Sequence, residues 1–63
     1  MLLVTVAVKS RMEAIEMAGI AENEAEAEEV ISKYLEEVGD ELEYAGETLK
    51  RDELAFVIEE MDA

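Results

Sequence analysis

The stretch Asn23–Gly39, NEAEAEEVISKYLEEVG, constrains the fold more than any other part of the chain. Ala27, Val30, Ile31, Tyr34, Leu35 and Val38 recur at three- and four-residue spacing. On a helix they fall in one apolar stripe roughly 140° wide. Glu26, Glu28, Glu29, Ser32, Lys33, Glu36 and Glu37 take the rest of the circumference. Asn23 can cap the first turn, because its side-chain oxygen accepts from a free amide there. Glu26 follows at capping-box spacing. Gly39 comes just after the last apolar position, where a left-handed residue ends a helix.

A helix with one apolar stripe must bury it against other elements, and the flanking segments supply strands. Leu2 to Lys9 alternates Leu2, Val4, Val6 and Val8 with Leu3, Thr5 and Ala7, and β-branched residues dominate. Both faces of that strand are nearly apolar, as in a central strand. Met12 to Glu22 fits two patterns. As a strand, Ile15 and Met17 point one way while Ala14, Glu16 and Ala18 point the other. As a helix capped by Ser10, Met12, Ile15, Glu16 and Gly19 share a face. Gly19 weakens a helix and suits a β-bulge. The helix that opens at Asn23 leaves little room for another, so a hairpin return strand is preferred.

Asp40 to Thr48 alternates Leu42 and Tyr44 with Glu41, Glu43 and Ala45, the pattern of a half-buried strand loosened at Gly46. Lys50, Arg51 and Asp52 follow as a charged turn. Glu53 to Met61 gathers Leu54, Val57, Ile58 and Met61 as a helix, or Leu54, Phe56 and Ile58 as a strand. A helix would set Lys50 and Arg51 at its positive end and Glu59, Glu60 and Asp62 at its negative end. Each misplaced charge costs about 0.3–1 kcal/mol, so the strand is preferred. The sequence thus predicts one α+β domain over residues 1–63, a small antiparallel sheet in the order β-β-α-β-β packed on the central helix of residues 23–38. The helix stripe would rest on Val4, Val6, Ile15, Met17, Leu42, Tyr44, Leu54, Phe56 and Ile58. One helix covers one sheet face, so Leu3, Ala7, Ala14, Ala18, Ala55 and Val57 would lie on the other. An open face that apolar either needs no partner, its residues being small, or serves as a dimer or docking surface. Leu3, Ala7, Ala55 and Val57 are its candidate interface residues.

The chain has 63 residues. Domains of this size bury only about 60% of their unfolded surface, and with no cysteine none of that deficit is met by disulfides. Stability should be modest or shared with a second copy. Met1 to Val8 is shorter than the roughly 20 residues of a membrane span. It lacks a basic leader and a cleavage site, so the cytoplasm is the expected compartment.

The net charge is −13, from 18 acids and 5 bases, against a usual magnitude of about 2–8 for a small domain. Such an excess opposes compaction through self-repulsion. It disfavours direct contact with nucleic acid, which binds through bases that displace its counterions, and likewise contact with anionic membranes. It favours a basic partner.

Candidates for chemistry are few. With no histidine or cysteine, nucleophile–base pairs and zinc sites are poorly supplied. There is no glycine-rich phosphate loop, and Asp40-Glu41-Leu42-Glu43 lacks the spacing of a calcium loop. The chain is therefore read as a non-enzyme with no cofactor and no metal. Tyr34 and Tyr44 read as core residues with hydroxyls at the rim, and Met12, Met17 and Met61 as core filler. The acid remains. Alternate strand residues lie about 6.8 Å apart, and helix residues four apart about 6 Å, both near the spacing of phosphates on a nucleic-acid strand. Glu26, Glu29, Glu36, Glu37, Asp40, Glu41, Glu43 and Glu47 are the candidate partner-binding face. Opposed to this is the plainer reading that surface glutamate only gives solubility or suits high salt. In size, charge and lack of catalytic residues the chain is similar to the small acidic inhibitors and nucleic-acid mimics that viruses and mobile elements encode. That likeness includes no motif. It implies a binding protein that docks on a basic surface, such as the nucleic-acid site of another protein. The alternative is an assembly module, a homodimer or complex subunit joined through the apolar sheet face.

Overall fold

The computed structural model describes residues 1–61. In chain order these form β1 (Leu2–Val8), β2 (Glu13–Ala21), α1 (Glu24–Val38), β3 (Glu41–Tyr44), β4 (Glu47–Lys50), a 3-10 turn at Arg51–Glu53 and β5 (Leu54–Glu60). An antiparallel sheet runs β2-β1-β5, and β3-β4 is a separate hairpin. This is the α+β architecture read from the sequence. The two ambiguous segments, 12–22 and 53–61, supply strands β2 and β5.

α1 begins where its cap is. The Glu26 N–H donates to Asn23 Oδ1 at 3.0 Å, and the helix stops at Val38 with the Gly39 N–H on the Leu35 carbonyl. One difference follows the helix. Residues 40–48 are not a single strand: the chain reverses at Ala45 and Gly46, and Leu49 returns opposite Leu42. Both turn residues have positive φ, 51° and 79°, as a two-residue type I′ hairpin loop requires. Glycine meets that demand freely. Alanine does not, and an alanine at the first position hid the turn.

The core lies between the sheet and the layer made by α1 and the hairpin. Val6, Val8, Leu49 and Leu54 form one buried cluster, with Ile15, Leu35, Leu42 and Tyr44 against it. Val4, Ala21 and Ala27 form the other, flanked by Leu2, Val30 and Ile31. Phe56 touches both and meets the Tyr34 ring edge-on, at 5.8 Å between centroids.

β2 departs from simple alternation. Its pairing with β1 shifts between Val4 and Thr5 and again between Val6 and Ala7. Each shift is a bulge that gives β2 one extra residue, Ala18 and Ile15 respectively, and leaves two consecutive residues on the helix side. Ile15 and Ala18 therefore both pack inward. Met17, opposite Thr5, turns to the other face and is 58% exposed. This corrects two expectations: Met17 is not under the helix, and Ala18 is not on the open face. Gly19 sits where the helix comes closest. A Cβ built there would lie 2.8 Å from Val30 Cγ1, so the glycine permits the approach. Ile58 is also corrected. It pairs with Val4 but is 44% exposed, because α1 packs over β2 and β1 far more than over β5.

The molecule measures 35 × 21 × 14 Å, the thickness of two layers. Among the described residues no element covers the far face of the sheet. Leu3, Thr5 and Ala7 of β1 lie there, with Val57 and Ala55 of β5 on one side and Ile20, Met17 and Ala14 of β2 on the other.

Candidate functional site: the acidic surface and the open sheet

All the described carboxylates are on the surface, and among the described residues no polar side chain is buried. The helix geometry that turns Ala27, Val30 and Tyr34 inward turns Glu29 and Glu36 straight outward, seven residues apart. They line a shallow depression with Glu28, Ser32 and Lys33. Glu26 and Glu37 lie to one flank, where Glu37 borders Ala18, Val30 and Tyr34 on the β2 side. Glu41 and Glu43 form a second row, on the face of β3 opposite to Leu42 and Tyr44. In that row Glu41 faces Lys50 and Glu43 faces Thr48. Asp40 is exposed in the link between α1 and the hairpin.

Glu47 does not join this row. It pairs with Tyr44 on the inward face of the hairpin and accepts from Arg11 Nη2 at 2.6 Å. Arg11 also reaches Glu13 at 3.4 Å. The Glu47 hydrogen bond raises the Arg11 pKa further above its ordinary value. This clamp ties the β1–β2 turn to the hairpin, across 36 residues of sequence. Among the described residues Arg11 is the only base in an ion pair, so Lys9, Lys33, Lys50 and Arg51 leave the acid largely uncompensated.

The candidate acids thus fall into two outward rows, Glu29 with Glu36 and Glu41 with Glu43. Glu26 and Glu37 are on a flank, Asp40 is between, and Glu47 is engaged elsewhere. The four candidate apolar residues, Leu3, Ala7, Ala55 and Val57, share the open sheet face. Ala7 is buried at its centre and the other three are half-buried. Sequence reading missed Met17 and Ile20, the most exposed apolar side chains there at 58% and 48%. It also missed the Tyr34–Glu16 contact. The Tyr34 hydroxyl donates to Glu16 Oε2 at 2.7 Å, since the bulges bring Glu16 to the helix side. Burial, then this bond, raises the Tyr34 pKa well above the usual tyrosine range.

Each of these carboxylates is exposed to solvent. Among the described residues no cluster of three or more acids could hold a metal ion, and no helix is long and apolar enough to cross a membrane. No family model matches this chain, and no curated protein or solved structure matches it.

Proposed function

We propose that this is a non-enzymatic acidic binding protein, acting in the cytoplasm, that docks on a basic surface of a partner protein. A nucleic-acid-binding site, with its lysines and arginines placed for phosphates, is the surface it fits best. The observation that carries this reading is the uncompensated surface charge: −13 overall, displayed on an ordered scaffold with one base in an ion pair among the described residues. Glu41 and Glu43 on β3 have the roughly 6.8 Å spacing of a phosphate track, and Glu29 and Glu36 on α1, about 10.5 Å apart along the helix, add outward charge. Charge of this kind speeds encounter more than it tightens the final complex. Affinity capture from a lysate across a salt series tests it. A basic nucleic-acid-binding protein should be retained at low salt and released at high salt. The triple variant Glu36→Gln, Glu41→Gln, Glu43→Gln should retain less. Partners of neutral charge, held equally at every salt concentration, would defeat the proposal.

A second reading, an assembly module joined through the open sheet face, is favoured by the exposure of Met17 and Ile20 beside Leu3 and Val57. A lysine in place of Met17 or Ile20 should then abolish assembly and leave the fold intact.

A further inference from the structure

β5 is the outermost strand on its side of the sheet, and no described strand pairs with its outer edge. The ladder with β1 fixes which backbone groups are left over. The Lys9 N–H donates to the Glu53 carbonyl, and the Met61 N–H to the Met1 carbonyl, each at 2.8 Å. The pairs Ala7–Ala55, Thr5–Val57 and Leu3–Glu59 are in phase with these two. Opposite pairs in an antiparallel ladder alternate between bonded and unbonded. The odd-numbered residues of β5 therefore bond to β1, and Phe56, Ile58 and Glu60 turn their N–H and C=O outward. Among the described residues none of those outward groups is in another backbone bond.

Natural edges of this kind are blunted by bulges, charge or proline. β2 carries two bulges. β5 carries none, and Leu54-Ala55-Phe56-Val57-Ile58 is uncharged. Side-chain cover also stops short of it, leaving Ile58 44% exposed.

The charge pattern along β5 is self-complementary in one direction only, which suits a second copy of the strand. Lys9, Lys50 and Arg51, three of the chain's five bases, lie at the start of β5, where with Asp52, Glu53 and Glu41, which faces Lys50, they bring the local charge close to zero. Glu59 and Glu60 lie at its end. Antiparallel pairing with a second β5 sets each acidic end against the other's near-neutral end, whereas parallel pairing sets acid on acid. The outward amides require even residues to pair with even. A two-fold centred on Phe56 would oppose Glu53 and Glu59. One centred on Ile58 would leave Leu54 unpaired and set Glu60 against Phe56. One centred on Val57 opposes Phe56 with Ile58, Ala55 with Glu59 and Leu54 with Glu60, so that no acid faces acid.

We propose that two copies of this chain pair their β5 edges about a two-fold axis at Val57, giving one six-stranded antiparallel sheet. The contact is isologous and closed, so it ends at the dimer. It covers each Ile58 with the second copy's Phe56. It uses neither acidic row, and it stands apart from the docking reading above.

The chain has no cysteine, so a single Val57→Cys substitution is a clean probe. The two copies of that residue would form an unbonded pair with Cα atoms about 4.5 Å apart, within the range of a disulfide. Val57→Cys should therefore oxidise to a covalent dimer. Ala55→Cys should not, its copies being four residues out of register and about 13 Å apart. Sedimentation of the unmodified chain should show a dimer whose Kd falls as salt rises from about 0.01 to about 1 M, because screening relieves repulsion between two acidic copies. Ile58→Lys should weaken it about tenfold or more, and Ile20→Lys, on the open face of β2, should not. A monomer at all concentrations and salts overturns the proposal. So does faster cross-linking of Ala55→Cys than of Val57→Cys, or dissociation by Ile20→Lys with Ile58→Lys unaffected.

Discussion

β2 and β5 flank the same central strand, yet they meet their surroundings differently. β2 is broken by two bulges, lies under α1, and has Glu13 and Glu16 tied to Arg11 and Tyr34. β5 is regular, half covered, and fixed mainly at its Leu54 end, where the hairpin packs. Irregularity is thus found on the strand that is finished, and regularity on the one that is not. A bulge spoils an edge as a template for pairing, while an unbroken ladder preserves it.

The largest effect should come from the two ends of β5. Leu54 is 7% exposed and Ile58 44%. Leu54→Ala should cost about 2–4 kcal/mol in urea unfolding, most of the stability a domain this small holds. Ile58→Ala, measured on dilute protein, should cost less than about 1 kcal/mol. Equal losses would mean that β5 is anchored along its whole length, and the contrast with β2 would disappear.

Next comes the seam between β2 and α1. Gly19→Ala would drive a methyl into Val30 and should cost about 1–3 kcal/mol. Adding Val30→Ala should restore part of that loss, since it removes the atom struck. If Gly19→Ala is silent, the helix is not held as close to β2 as the structure has it.

Smaller effects sharpen the picture. Asn23→Ala removes the cap on the helix that covers β2 and should cost about 1 kcal/mol. Ala45→Asn should gain up to about 1 kcal/mol, because asparagine accepts the positive φ that alanine resists. By firming the hairpin it should slow amide exchange near Leu54 and leave Ile58 and Glu60 unchanged.

The last prediction shows only at alkaline pH. Burial and the bond to Glu16 hold the Tyr34 proton more tightly in the folded chain than in the unfolded one. The stability this contributes is fully present below the ordinary tyrosine value of about 10 and declines as pH rises beyond it. Tyr34→Phe should flatten that decline in unfolding curves taken on either side of the value, with a small change at neutral pH.

The central helix, its cap and stop, β1 and the strand character of β5 were all legible, because each rests on local pattern or local charge. The turn at Ala45 was not, since Ala-Gly is a weak signal for a conformation that Asn-Gly announces. The facing of β2 was not legible either. Two bulges place Ile15 and Ala18 on one side and Ala14, Met17 and Ile20 on the other, a spacing of three. That spacing also made the segment look half helical. Of the candidate site, outward placement of Glu29, Glu36, Glu41 and Glu43 follows from periodicity alone. The capture of Glu47 by Arg11 does not, because it depends on how the hairpin docks on a turn distant in sequence.

The extra residues in β2 also give the strand slack. A one-residue deletion near Ala18 would remove the bulge and leave every other side chain facing as before, so the loss is absorbed where it occurs. The same deletion in β5, which has nothing spare, would reverse the facing of all that lies beyond it. Over evolutionary time, then, changes of length should accumulate in the first of these strands and be excluded from the second.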